Sequence, residues 1–83
     1  MKISKEKIIN IISPLLKKEI YTDIDYDINL EEHGMDSLTL INIIIEIEKE
    51  FNCEIPDSKL LIGELNTVNK IYNTLISISA NDL

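Results

Sequence analysis

One cysteine in 83 residues leaves this chain without an internal disulfide and without a cysteine-rich zinc site. Such cysteine use fits a reducing compartment. Long apolar runs are missing too. Uninterrupted ones reach three residues, as in Ile43-Ile44-Ile45, against the roughly 20 that a membrane span requires. The start, Met1 to Lys7, is basic, but the apolar stretch behind it is broken by Asn10 and Pro14 and has no small-residue cleavage site. A cytoplasmic protein with no signal peptide and no membrane insertion is expected. Positive charge is scarce: 8 Lys and Arg face 15 Asp and Glu, a net charge of -7. That balance repels a nucleic-acid backbone or an anionic lipid surface and favours basic partners. Eighty-three residues also leave room for one hydrophobic core only, which argues against a self-contained multi-step enzyme.

What is present is apolar enough to fold. Hydrophobic residues make up 45% and charged residues 28%, well away from the composition of a disordered segment. The 2 Gly and 2 Pro punctuate the chain sparsely. Behind Ser4, a helix N-cap candidate, Ile8, Ile11, Ile12, Leu15 and Leu16 recur at helical spacing, and Pro14 predicts a kink or break. From about Ile20 to Met35 the period is lost and acidic residues accumulate around Ile24, Ile28 and Leu30. This reads as a long loop pinned to the core, and such loops often carry function.

The strongest helix is expected over Ser37 to Phe51. Leu40, Ile43, Ile44, Ile47 and Phe51 form its core stripe, while Leu38, Ile41 and Ile45 cluster with Asn42 and Lys49 on nearly the opposite face. That second stripe either meets another helix or forms an exposed docking patch. Asp57-Ser58 suits the cap of a short helix to about Ile62, with Gly63 as its stop. Thr67 caps a last helix whose stripe is Val68, Ile71, Tyr72, Leu75 and Ile76, before a tail that frays from about Ser77 to Leu83. The expected fold is all-α: one domain over residues 1–83, a small four-helix bundle of three principal helices and one short one, with a long first loop.

Two segments invite a chemical reading. Asp23, Asp25 and Asp27 alternate as in the opening of an EF-hand, but Ile28 and Gly34 occupy the places where that loop needs glycine and a bidentate glutamate. A solvated acidic loop is the better reading, and no metal site is expected. Gly34-Met35-Asp36-Ser37-Leu38 sets a serine beside a carboxylate at a helix start. Its glycine spacing is that of neither a nucleophile elbow nor a G-D-S-L hydrolase block, and His33 is the one base at hand. No catalytic residue is assigned. A serine at a helix start is ordinarily a cap, yet free N–H groups and the positive end of the helix dipole also favour a phosphate esterified there. Gly34 would turn the chain so that Ser37 stands at a corner.

The run Leu30-Glu31-Glu32-His33-Gly34-Met35-Asp36-Ser37-Leu38 resembles the L-x-x-x-G-x-D-S-L signature of acyl carrier proteins. Glu48-Lys49-Glu50-Phe51 leading to Ile55-Pro56-Asp57, and Leu65-Asn66-Thr67-Val68, extend the resemblance over nearly the whole chain. It implies 4′-phosphopantetheine attached covalently to Ser37 by a phosphopantetheinyl transferase, with Asp36 aiding that enzyme through its magnesium ion. The distal thiol would hold an acyl or aminoacyl group as a thioester for a loading enzyme and downstream synthases. The chain would then be a monomeric shuttle in fatty-acid, polyketide or nonribosomal-peptide type biosynthesis, docking through Leu38, Ile41, Asn42 and Ile45. Acidic residues stand two and five places after the serine in typical fatty-acid carriers; Thr39 and Asn42 stand there in this chain, which tilts the expectation to a specialised pathway. A noncatalytic adaptor lacking the arm is the alternative, and His33 is expected to be a half-exposed loop side chain.

Overall fold

The computed structural model describes residues 3–16 and 26–81. Three α-helices, α1 (Lys5–Ile12), α2 (Ser37–Phe51) and α3 (Val68–Asn81), are joined by 3-10 turns at Ser13–Leu15, Leu30–His33, Asp57–Lys59 and Ile62–Glu64. No strand occurs among the described residues. The small helical bundle expected from the apolar periodicity is the fold, with the short fourth helix realised as two 3-10 turns. Gly63 lies inside the second of these turns instead of ending a helix, and Pro56, not Asp57 or Ser58, holds the cap position of the first, with no side-chain cap bond.

Ser4 caps α1, its hydroxyl accepting the N–H of Lys7 at 3.1 Å. The helix ends at Ile12, and Ser13-Pro14-Leu15 continues it as one tighter turn, because proline lacks the N–H that an α-helix interior needs. Ile8, Ile9, Ile12 and Leu16 are buried, whereas Ile11 and Leu15 lie only partly covered at the margin. Ile9 thus takes a core place that spacing alone had given to Ile11.

Helix α2 buries Leu40, Ile43, Ile47 and Phe51, with Ile44 half-covered at the edge. It ends at Asn52 in a left-handed conformation (φ 49°), which asparagine tolerates better than most residues, and the Asn52 N–H returns to the Glu48 carbonyl. The Glu48 side chain then reaches forward seven residues, its Oε2 accepting the N–H of buried Ile55 at 2.8 Å. In α3, Val68, Ile71 and Leu75 are buried and Tyr72 is half-buried, but Ile76 faces solvent. The helix runs on through Asn81, past the point near Ser77 where fraying was expected. Thr67 caps it as anticipated, its Oγ1 accepting the N–H of Lys70 at 3.0 Å. The Lys5 ammonium stands 5.2 Å from the ring centres of both Tyr26 and Tyr72, tying the start of α1 to the loop and to α3.

Candidate functional site

The approach to α2 begins at Asn29, whose side chain accepts the N–H of Glu31 and starts the Leu30–His33 turn. Leu30 is fully buried and anchors it. Of the loop anchors read from sequence, Ile28 packs partly against the core, while Ile24 lies outside the described residues. The turn closes at Gly34 with φ 94°, a conformation that penalises any residue with a Cβ. Its N–H bonds to the carbonyls of Glu31 and Leu30, and the Met35 N–H also meets Leu30 O, at 3.1 Å. Met35 is then driven inward, 2% exposed. With Met35 fixed inside, Asp36 and Ser37 emerge on the surface.

Asp36, not Ser37, is the cap of α2. Its Oδ1 accepts the N–H of Thr39 at 2.8 Å from an extended backbone, a charge-assisted bond at the positive end of the helix. Ser37 is the first helical residue and exposed, and its hydroxyl has no hydrogen-bond partner among the described residues. The alcohol is therefore presented without being used by the fold. It is not activated either: His33 is half-buried, its Nδ1 is enclosed with no hydrogen-bond partner, and no His33–Ser37 bond exists. A serine so placed is accessible to a modifying enzyme. An attached phosphate would stand at the amino end of a 15-residue helix, where the dipole favours negative charge.

Downstream, the first nine residues of α2, Ser37 to Ile45, contain no charged side chain. Leu38, Ile41 and Ile45 are 68%, 53% and 44% exposed, and Asn42 is exposed among them. Among the described residues no helix covers this stripe. Acidic residues bound it on either side, with Glu31, Glu32 and Asp36 before it and Glu46 and Glu50 after it, all exposed. Glu46 and Glu50 are partly balanced by Lys49 at 3.8 Å and Lys7 at 3.6 Å.

The acidic alternation offers no comparable site. Asp23 and Asp25 lie outside the described residues, and Asp27 accepts the Asn69 amide N–H at 2.7 Å. Among the described residues no three His, Cys, Asp or Glu side chains gather where they could hold a metal ion, and no helix is long and apolar enough to cross a membrane.

The structure thus gives a small helical bundle with an exposed, unbonded serine at the start of its longest helix. Comparison with known proteins makes the class specific. Residues 6–75 match the family described as "Phosphopantetheine attachment site", and the chain belongs to it. It is a carrier protein that bears 4′-phosphopantetheine covalently and catalyses nothing itself, meeting a phosphopantetheinyl transferase and enzymes that load and unload the arm. Similar proteins include the D-alanyl carrier protein of Streptococcus suis (strain 98HAH33), 32% identical over 74 residues that cover 89% of this chain and 92% of that one. That of Lactococcus lactis subsp. cremoris is 35% identical over 68 residues, 81% of this chain and 85% of the other. That of Leuconostoc citreum is 28% identical over 74 residues, 89% and 94%. No solved structure matches.

Proposed function

We propose that Ser37 bears the arm and that the cargo is an aminoacyl group, D-alanyl in the first instance. The observation that carries the attachment site is the exposed Ser37 hydroxyl, left unbonded because Asp36 has taken over the cap. In the modification, the Ser37 oxygen attacks the pantetheine-bearing phosphorus of coenzyme A. A P–O bond to the serine forms, the bond to the adenosine bisphosphate breaks, and the hydroxyl proton passes to a base of the transferase. Asp36, exposed beside the serine, is placed to meet the magnesium ion of that enzyme while it caps the helix. Once attached, the arm supplies a thiol that holds the cargo as a thioester. A tether of this kind raises the local concentration of the cargo at each enzyme that docks the carrier.

The cargo assignment rests on the D-alanyl carrier proteins of similar sequence and on the surface beside Ser37. Thr39 and Asn42 occupy places where fatty-acid carriers typically have acids, and Thr39 is buried. Leu38, Ile41, Asn42 and Ile45 form the docking patch, with apolar contact at its centre and acidic residues at its rim to draw in a basic partner surface. The protein is proposed to work as a cytoplasmic monomer, in the compartment that supplies coenzyme A.

Incubation with coenzyme A, magnesium and a promiscuous phosphopantetheinyl transferase should add the mass of one arm to the wild-type chain and nothing to Ser37→Ala. A wild-type chain that stays unmodified overturns the reading and leaves the armless adaptor. Mass measurement of the thioester on protein from the native host identifies the cargo. An acyl chain in place of an amino acid would overturn that part alone.

A further inference from the structure

Among the described residues, the turn that presents Ser37 takes its hydrogen bonds from the far side of the sequence through one residue. Asn66, just ahead of α3, contacts it twice: its backbone carbonyl accepts the Leu30 N–H at 2.8 Å, and its Nδ2 donates to Glu31 Oε2 at 3.0 Å. Its remaining side-chain atom is also committed, since Oδ1 accepts from the Lys70 ammonium at 3.0 Å, and that ammonium donates to Gly63 O at 2.8 Å. Leu30 relays the hold, because its carbonyl accepts the N–H groups of Gly34 and Met35, three and two residues before Ser37. The serine is thus linked to the end of the Ile62–Glu64 turn and the first turn of α3 through hydrogen bonds that converge on Asn66.

We propose that Asn66 is a positioning residue for the attachment serine: with Glu31 and Lys70 it forms a latch that sets where the Leu30–His33 turn sits, and so where Ser37 is offered to the transferase. The proposal rests on the reading of Ser37 as the attachment site. Leu30 and Met35 already anchor the turn by burial, so the latch contributes orientation more than stability. Burial is nondirectional, whereas hydrogen bonds at two adjacent residues fix rotation about the turn. Transfer to an alcohol is sensitive to such rotation, because the attacking oxygen must meet phosphorus in line.

The test uses the full chain and the promiscuous transferase. Asn66→Ala removes the side chain and keeps the backbone carbonyl; Glu31→Ala removes the acceptor; Glu31→Gln keeps an acceptor without the charge. Asn66→Ala and Glu31→Ala should each lower kcat/KM for arm transfer by about threefold to tenfold, the range corresponding to one hydrogen bond. Their double variant should lose little more than either, and Glu31→Gln should stay within about twofold of wild type on the same scale. The amide resonances of Gly34 and Ser37 should shift in Asn66→Ala and Glu31→Ala but not in Glu31→Gln, with thermal midpoints nearly unchanged. Wild-type loading with unmoved resonances in Asn66→Ala overturns the latch. So does equal loss in Glu31→Gln and Glu31→Ala, which would show the transferase reading the charge. A wild-type chain that accepts no arm refutes the attachment site instead, and the resonances still decide whether the latch exists.

Discussion

The carboxylate of Asp36 accepts the amide N–H of Thr39 at 2.8 Å, spanning Ser37 and Leu38 on the chain. A helix start has orphan N–H groups that a side-chain oxygen must satisfy. If Ser37 met that need its hydroxyl would be tied down. Asp36 meets it one residue earlier, which gives that side chain two tasks that substitution can separate. Asparagine caps as well as aspartate but carries no charge. Asp36→Asn should therefore keep the thermal midpoint close to wild type yet slow arm transfer sharply. Asp36→Ala should slow transfer and also cost about 1 kcal/mol, the usual price of a lost cap. Paired denaturation and loading assays check this, and normal loading of Asp36→Asn would confine Asp36 to capping.

Ser37→Ala should change stability by less than about 0.5 kcal/mol, because it removes an exposed hydroxyl with no partner and leaves an excellent helix former. Urea denaturation measures it. A clear destabilisation would mean that the hydroxyl does serve the fold.

On α2 the two apolar stripes differ by burial alone. Ile43 is fully buried and Ile45 is 44% exposed. Ile45→Glu should leave the circular dichroism spectrum and the midpoint intact while reducing cargo loading of the arm-bearing protein by about tenfold or more, as expected for a central contact residue. Ile43→Glu should unfold the chain, since an unpaired carboxylate would stand in the core. If Ile45→Glu loads normally, the patch is not the docking surface.

Both stripes were legible in the sequence, though not whether a neighbour covers the second, and α2 has the limits that its apolar period predicts. Long periodic helices announce themselves because many residues vote for one phase. Short segments do not. Ile9 and Ile11 lie on opposite flanks of the Ile8–Ile12 stripe in the eight-residue α1, and which flank is buried is decided by what the helix packs against, not by the period. The signature around Ser37 marked the proposed attachment site, and the turn at Gly34 follows from glycine. The cap by Asp36, the burial of Met35 and the hold by Asn66 were not read from it. They depend on where the turn packs, and Asn66 lies 35 residues from its partner Glu31. No local pattern contains that information.

Phe51 is 1% exposed, with the Lys7 ammonium 5.6 Å from its ring centre. Phe51→Ala should cost about 3 to 5 kcal/mol, the usual range for emptying a buried aromatic site. Lys7→Ala should cost less than about 1 kcal/mol, because its side chain is about half-exposed and its bridge to Glu50 is screened by solvent. Chemical denaturation of both variants checks the ratio, and similar losses would mean that the cation, not the ring, holds this corner.

Glu48 offers a last separation, between the stability of the bundle and the working end of α2. Its Oε2 is the acceptor for the N–H of Ile55, a residue only 5% exposed, so Glu48→Ala would strand a donor away from water. The expected cost is about 1 to 3 kcal/mol, the penalty of an unsatisfied buried group. Glu48→Gln keeps an oxygen in reach and should recover much of it. Amide exchange at Ile55 should accelerate in the alanine variant and stay slow in the glutamine variant. Eleven residues of helix place Glu48 about 16 Å along α2 from Ser37 at the standard rise. Arm transfer to the folded variant should therefore proceed at the wild-type rate, and a matching loss of transfer in conditions where Glu48→Ala remains folded would show that the two ends of α2 are coupled.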